Sequence, residues 1–186
     1  MSLKKTSQPV QIAASVPLTI APGVAGQNTR TIDLQLSPLD NEVFVVTAVK
    51  IDFEDLPLPL VTSSYTGTSW IQASILKNAP QGGAVQSIGN SNCIASSRVV
   101  VFQSVLQGPP VEFNQYEILE NGPMDSPPSD QDYLDIIATD NFVVQFANSE
   151  RWSGQTLNMV CRVYGYRAKA DAATYAALVQ SEVLSA

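Results

Sequence analysis

The sequence predicts an all-β fold, namely an eight-stranded antiparallel β-sandwich that is followed by one short α-helix. Three observations carry this prediction. Between residues 28 and 169, segment after segment alternates apolar with polar residues, which is the period of half-buried strands. Clusters of Pro, Gly, Asn and Asp separate these segments. A helical period begins only after Lys169.

Residues 1–27 are rich in Pro, Ala and Gly and predict an extended N-terminal arm. Within this arm, only short strand pieces are expected, around residues 10–13 and 18–20. The sandwich is then expected to occupy residues 28–169, and the helix residues 170–186.

The longest predicted strand covers residues 42–53, and it is apolar on both faces over its first half. One face carries Val43, Val45, Val49, Ile51 and Phe53. The opposite face carries Phe44, Val46 and Ala48. Exposure of apolar residues to water is unfavourable, so the first half of this strand is expected to be covered on both faces.

The other predicted strands are spread along the rest of the chain. They are centred in residues 28–36, 68–77, 93–107, 111–119, 133–139, 141–149 and 156–167. Long loops are predicted at residues 54–67, 78–92 and 120–131. Eight antiparallel strands with several long loops are typical of a jelly roll, whereas an immunoglobulin-like sandwich is usually shorter.

The predicted helix is amphipathic and starts after Asp171, whose side chain can cap it. Its apolar stripe comprises Tyr175, Leu178, Val179 and Val183. An isolated helix of this length is marginally stable and needs a surface to pack on. Since an eight-stranded sandwich closes its own core, we expect the helix to pack outside that core, on its own subunit or on a neighbour.

Tyr164 and Tyr166 lie on the face of the last strand opposite to its apolar residues. Together with the stripe of the helix, they are the predicted interface residues. Deletion of residues 171–186 is therefore expected to impair assembly more than folding.

The composition excludes most catalytic chemistry. The chain has no histidine, which removes Ser-His-Asp and Cys-His catalysis and most catalytic zinc sites. The glycine patterns of phosphate-binding and dinucleotide-binding loops are also missing. We therefore predict no enzyme, no catalytic residue, no cofactor and no small-molecule substrate.

The net charge of −7 opposes binding to a phosphate backbone, which depends on clustered Lys and Arg. Only Lys4 and Lys5 form a basic pair near the N-terminus. Direct contact with nucleic acid is not expected. The two cysteines, Cys93 and Cys161, do not make a disulfide framework, and Cys161 is predicted to be a buried free thiol.

Two groups of side chains are weaker candidates for a binding site. Calcium binds several oxygen ligands from a loop, and the acidic candidates are Asp125, Asp130, Asp132 and Asp135. The glycine and terminal glutamate of an EF-hand loop are missing, and such aspartates often bond their own backbone. Trp70 and Trp152 are candidates for stacking on a glycan, although core or interface packing is the more common role of tryptophan.

The overall pattern resembles a single jelly-roll viral capsid protein: the Pro/Ala/Gly arm up to Gln27, eight strands up to Lys169, and a polar surface with few charges. It looks most like the small upright jelly-roll coat proteins of tailless icosahedral, membrane-containing viruses of bacteria or archaea. It departs from many RNA-virus coats, whose arms are strongly basic.

The resemblance implies a structural virion protein that self-assembles into capsomers, often beside a second capsid protein and close to an internal membrane. It also implies assembly in the host cytoplasm and residence in the virion. Two alternatives stay open, a carbohydrate-binding β-sandwich module and an accessory fibre or spike protein of a virion.

Overall fold

A computed structural model describes residues 3–19, 25–54, 67–79, 85–106, 113–121, 124–125, 131–149 and 156–185. Its strands are β1 (Leu3–Lys5), β2 (Val10–Thr19), β3 (Gln27–Asp33), β4 (Glu42–Glu54), β5 (Gly67–Leu76), β6 (Cys93–Leu106), β7 (Phe113–Asn121), β8 (Met124–Asp125), β9 (Asp135–Ile137), β10 (Asn141–Asn148) and β11 (Thr156–Ala170). A short 3-10 turn covers Pro38–Asp40, and helix α1 covers Ala172–Ser185. The chain is therefore mostly β, with one C-terminal α-helix within these residues.

The strands form two antiparallel sheets. In the first sheet, β11 lies between β4 and the pair β1 and β2, while β8 and β9 pair with the other edge of β4. The second sheet has the order β3-β10-β5-β6-β7. The count of eleven strands among the described residues does not confirm the predicted eight.

The strand pairs are nested along the chain. Strand β2 pairs with β11, β3 with β10, β4 with β8 and β9, and β5 with β6. Each pair therefore encloses the next one in sequence, and successive pairs alternate between the two sheets.

One hydrophobic core joins the two sheets. The first sheet contributes Val16, Ile51 and Met159, and the second contributes Ile75, Val99 and Phe146, among others. The rings of Phe53 and Phe146, one from each sheet, lie 5.8 Å apart between centroids. Burial of such side chains is the main driving force for this arrangement.

The predicted arm does not stay outside the sheets. Ten consecutive residues of β2 pair with β11, and the alternating residues Ala14, Val16 and Leu18 are buried in the main core. β1 pairs with the C-terminal end of β11. The alternation of β2 is weak in the sequence, because the small residues at positions 13–15 give little contrast between the two faces and Pro17 interrupts the pattern. The segment therefore resembles an arm.

The first half of β4 is covered on both faces, as expected, but the predicted assignment of its residues to faces is wrong. A register shift opposite Tyr164 and Gly165 leaves Thr47 unpaired in a β-bulge. As a result, Phe44 and Val46 join Val49 in the main core. Val43 and Val45 point to the outer face instead and are also fully buried there.

Gly165 makes this change of face sterically feasible. A Cβ atom at this position would overlap the backbone oxygen of Val45 and would come within 2.7 Å of the Phe44 ring. The Thr47 hydroxyl donates a hydrogen bond of 3.2 Å to the carbonyl of Tyr164, beside the bulge. The bulge therefore turns Val43 and Val45 outward, where the C-terminal helix packs.

Candidate functional site

Helix α1 begins with a side-chain cap, as the sequence predicts. The Asp171 carboxylate accepts a hydrogen bond of 2.9 Å from the backbone N–H of Thr174 and another of 2.8 Å from the Thr174 hydroxyl. These bonds hold the pKa of the Asp171 carboxyl below its usual value. The cap satisfies one of the backbone donors that a helix leaves open at its start.

The helix packs on the outer face of the first sheet, over a second and smaller hydrophobic core. Its fully buried members come from the sheet side: Val43, Val45, Ile136, Ala138, Ala168 and Ala170. Leu3, Tyr133, Tyr166, Tyr175, Leu178 and Val179 complete it as partly buried side chains. The helix therefore lies outside the main core and covers its own subunit.

Glu182 is a site residue that the sequence pattern did not reveal. Its side chain is only 2% exposed, and its carboxylate accepts the backbone N–H groups of Ala138 at 2.6 Å and Thr139 at 3.0 Å. The backbone carbonyl of Glu182 accepts a bond of 2.8 Å from the Asn78 side chain. Glu182 thus ties the helix to two separate parts of the chain.

Burial has the largest effect on the pKa of the Glu182 carboxyl. Removal from water raises the pKa of this carboxyl, and the bonds from Ala138 and Thr139 and the charge of Lys77 only partly oppose that effect. Lys77 itself pairs with Asp135 at 3.1 Å. Two turns earlier in the helix, the Tyr175 hydroxyl donates to the carbonyl of Ala138 at 3.4 Å.

The predicted interface residues divide into two groups. Tyr166, Tyr175, Leu178 and Val179 meet in the second core. Val183 does not join them: it is 64% exposed, because Glu182 takes the buried position at that turn. Tyr164 is half-buried on the same outer face, opposite Ala48, but it is not part of the second core.

The outward face of α1 carries no charged side chain. Within Ala172–Ser185 the only ionisable groups besides Tyr175 belong to Glu182, which faces inward. Val183 and Leu184 are 64% and 77% exposed. A depression of about 450 Å³ lies between the helix and Ser91, lined by Ala177, Gln180 and Leu184.

The acidic candidates do not come together as a cation site. Asp135 forms a salt bridge with Lys77, and its carboxylate also accepts a hydrogen bond of 2.8 Å from the backbone N–H of Ile136. Asp132 is exposed, Asp125 lies in β8, and Asp130 is outside the described residues. No group of three potential metal ligands occurs in the part of the chain that the structure describes.

Trp70 lies on the outer face of the second sheet, on the side opposite to Ile71 and Ala73, which face the main core. It lines a pocket of about 470 Å³ together with Gln72, Arg98 and Asn148. The Arg98 guanidinium carbon lies 5.1 Å from the centroid of the indole ring. Trp152 is outside the described residues.

No protein-family model matches this chain, and no curated protein matches it. Within the described residues, no helix is long and apolar enough to cross a membrane. The single helix seen there has 14 residues.

Proposed function

We propose that this chain is a structural virion protein, a capsid subunit with a jelly-roll fold that assembles laterally with copies of itself. A jelly roll is a long hairpin of four strand pairs wound into two facing sheets. The nested pairing of β2 with β11, β3 with β10, β4 with β8 and β9, and β5 with β6 supports that winding. In this proposal β1 continues the first strand, and β7 is an addition to the edge of the second sheet.

The observation that carries the assembly proposal is the outward face of α1. Charged residues are depleted where subunits meet, and apolar side chains are enriched in the centre of such contacts. This helix exposes Val183 and Leu184 next to small and neutral polar residues, with no charge among the described ones. A second copy of the chain would cover these side chains and fill the depression beside Ser91.

Further elements of the proposal come from the resemblance to single jelly-roll capsid proteins. A capsid subunit of this kind could assemble beside a second capsid protein and over an internal membrane, in the host cytoplasm and then the virion. The net charge of −7 supports assembly without direct contact to nucleic acid. No active site is needed, because the work of the protein is the burial of surface between copies.

The proposal is tested by light scattering and negative-stain imaging of the purified chain. We expect rings or lattices that the double substitution Val183→Asp with Leu184→Asp converts to monomers. Leu39→Asp is the matched control, because Leu39 is an apolar residue that is 98% exposed in the 3-10 turn. This control should assemble as the wild type does.

Three results would contradict this proposal. A wild-type chain that stays monomeric at high concentration would rule out self-assembly. Rods rather than rings or lattices would favour a fibre or spike protein. Normal assembly of the double variant, with its thermal unfolding unchanged, would show that α1 is not the interface.

A further inference from the structure

One row of residues across the second sheet contributes to the pocket beside Trp70. Ala147 of β10 lies opposite Gln72 of β5, and Gln72 lies opposite Arg98 of β6. The small side chain of Ala147 leaves a depression between larger neighbours. The resulting volume of about 470 Å³ is in the range of small-ligand sites, which is roughly 300–1,000 Å³.

The aromatic wall of the pocket is held in place by the strand ladder. The backbone N–H of Trp70 donates to the Ser149 hydroxyl at 3.0 Å, and the N–H of Ser149 donates to the carbonyl of Trp70 at 2.8 Å. The Trp70 side chain is half-buried, so part of the indole faces the pocket. Such a surface suits the C–H face of a sugar ring.

The amide wall is similarly rigid. The Asn148 side chain is fully buried, and its oxygen accepts the backbone N–H of Gly26 at 3.0 Å. The Gln72 amide donates to the carbonyl of Gln86 at 3.0 Å. A Cβ atom at Gly26 would come within 2.7 Å of the Asn148 side-chain oxygen, so glycine allows this close approach.

Arg98 supplies the only positive charge among the described residues that line the pocket. When a guanidinium stacks on an indole, its N–H groups still point outward in the guanidinium plane. They can therefore bind a carboxylate in a bidentate manner. The Arg98 side chain is exposed, and it forms no ion pair with any of the carboxylates whose side chains the structure describes. On a chain of net charge −7, an arginine that has no carboxylate partner among the described side chains marks a local preference for an anion at this pocket.

We propose that this pocket binds a saccharide that carries a carboxylate, such as a uronic acid. The sugar ring packs against Trp70, its carboxylate binds Arg98, and its hydroxyl groups face the Gln72 amide, while the buried Asn148 side chain supports the wall behind them. A phosphate ligand is less well matched, since no second cation or helix N-terminus lines the pocket among the described residues. This inference does not depend on the capsid assignment.

The test uses two probes that differ only at C6: methyl β-D-glucuronide, which has a carboxylate there, and methyl β-D-glucoside, which has a hydroxymethyl group. Each is titrated into the ¹⁵N-labelled full chain, and the indole N–H signals are followed. Trp152→Phe assigns the signal of Trp70, because the chain has two tryptophans. We expect a saturable shift of the Trp70 signal with the glucuronide, and binding about tenfold or more weaker for the glucoside.

Variants of Arg98 then test whether this side chain causes the preference for the glucuronide over the glucoside. Arg98→Gln should abolish the preference for the glucuronide, and Arg98→Lys should retain part of it. Arg162→Gln is the matched control, because Arg162 is an exposed arginine on a strand of the other sheet, and it should bind like the wild type. The proposal is overturned if the Trp70 signal does not move in a saturable way, if both sugars bind equally, or if Arg98→Gln binds like the wild type.

Discussion

Glu182 on helix α1 accepts the backbone N–H of Ala138, 44 positions earlier in the chain, through a bond of 2.6 Å. The bond connects the helix to the segment that directly follows β9. Because β9 belongs to the first sheet, the bond also holds the helix on that sheet. A buried carboxylate that binds two backbone N–H groups is directional, whereas apolar packing alone would allow the helix to slide. Glu182 therefore fixes the position of α1 over the second core.

The first prediction concerns pH. The pKa of Glu182 is raised in the folded protein, so the native state binds a proton more readily than the unfolded chain, whose value is 4.5. The stability of the wild type relative to Glu182→Gln should therefore be greatest below pH 4.5 and should fall as pH rises through the native pKa. Denaturant unfolding of both proteins across pH measures the difference, and an opposite slope would contradict the assignment.

The second prediction concerns Gly165. Gly165→Ala should lower the free energy of unfolding by about 1–3 kcal/mol, because the new Cβ meets the Val45 carbonyl and the Phe44 ring in a packed interior. Gly89→Ala is the matched control, since its Cβ would meet only the Ser87 hydroxyl at 3.8 Å. Urea unfolding compares them, and equal effects of the two substitutions would exclude the steric explanation.

The third prediction concerns Ser97. Its hydroxyl is buried in the main core and has no hydrogen-bond partner among the described residues. Ser97→Ala should therefore raise the free energy of unfolding by about 1 kcal/mol, as an unsatisfied polar group is removed. Ser96→Ala, on the half-buried opposite face of the same strand, should change it by less than about 0.5 kcal/mol. A loss of stability in Ser97→Ala would show that the hydroxyl does have a partner.

The fourth prediction concerns the two cysteine thiols, neither of which is part of a disulfide. Burial raises the pKa of Cys161 to about 11, whereas Cys93 is half-buried and its thiol donates to the carbonyl of Ala95 at 3.3 Å. At pH 8 a native Cys161 thiol is ionised in only about one molecule in a thousand. A thiol reagent should thus modify Cys93 first, and Cys161 only on unfolding. Cys93→Ser provides the control, and rapid native modification of this variant would contradict the prediction.

The fifth prediction concerns removal of residues 171–186. The truncated chain should still fold, because the main core draws no residue from α1. Its free energy of unfolding should fall on the order of a few kcal/mol, since Val43, Val45 and Ile136 lose their cover. Circular dichroism and light scattering should show retained β-structure and lost assembly. Failure of the truncated chain to fold would place the helix in the essential core.

The regular parts of the fold could be predicted from the sequence because their signals are local. Runs of apolar residues mark β4 and β10, clean alternation marks β11, and the change of period after Lys169 marks α1. The pairing of β2 could not be predicted, since its burial depends on contact with β11 far along the chain. The bulge at Thr47 also has no local signal, although it decides which face of β4 meets the helix.

The candidate site was only partly predictable. The apolar positions of α1 mark its buried face. A glutamate on a helix is normally exposed to water, so the buried role of Glu182 could not be predicted from the sequence. Trp70 could be proposed from residue type alone. Its neighbours Arg98 and Asn148 could not, because they are brought to it by strand pairing.

The nesting of the strand pairs has a consequence for synthesis on the ribosome. The side chains of Thr19 and Thr156 lie within 3.4 Å of each other, although 137 positions separate them. Among the described residues, β2 pairs in its sheet with β11 alone, so its edge stays open until β11 has been made, late in translation. Such long-range pairing slows folding and leaves time for wrong associations. A chain of this kind should depend on holding chaperones while it is being made.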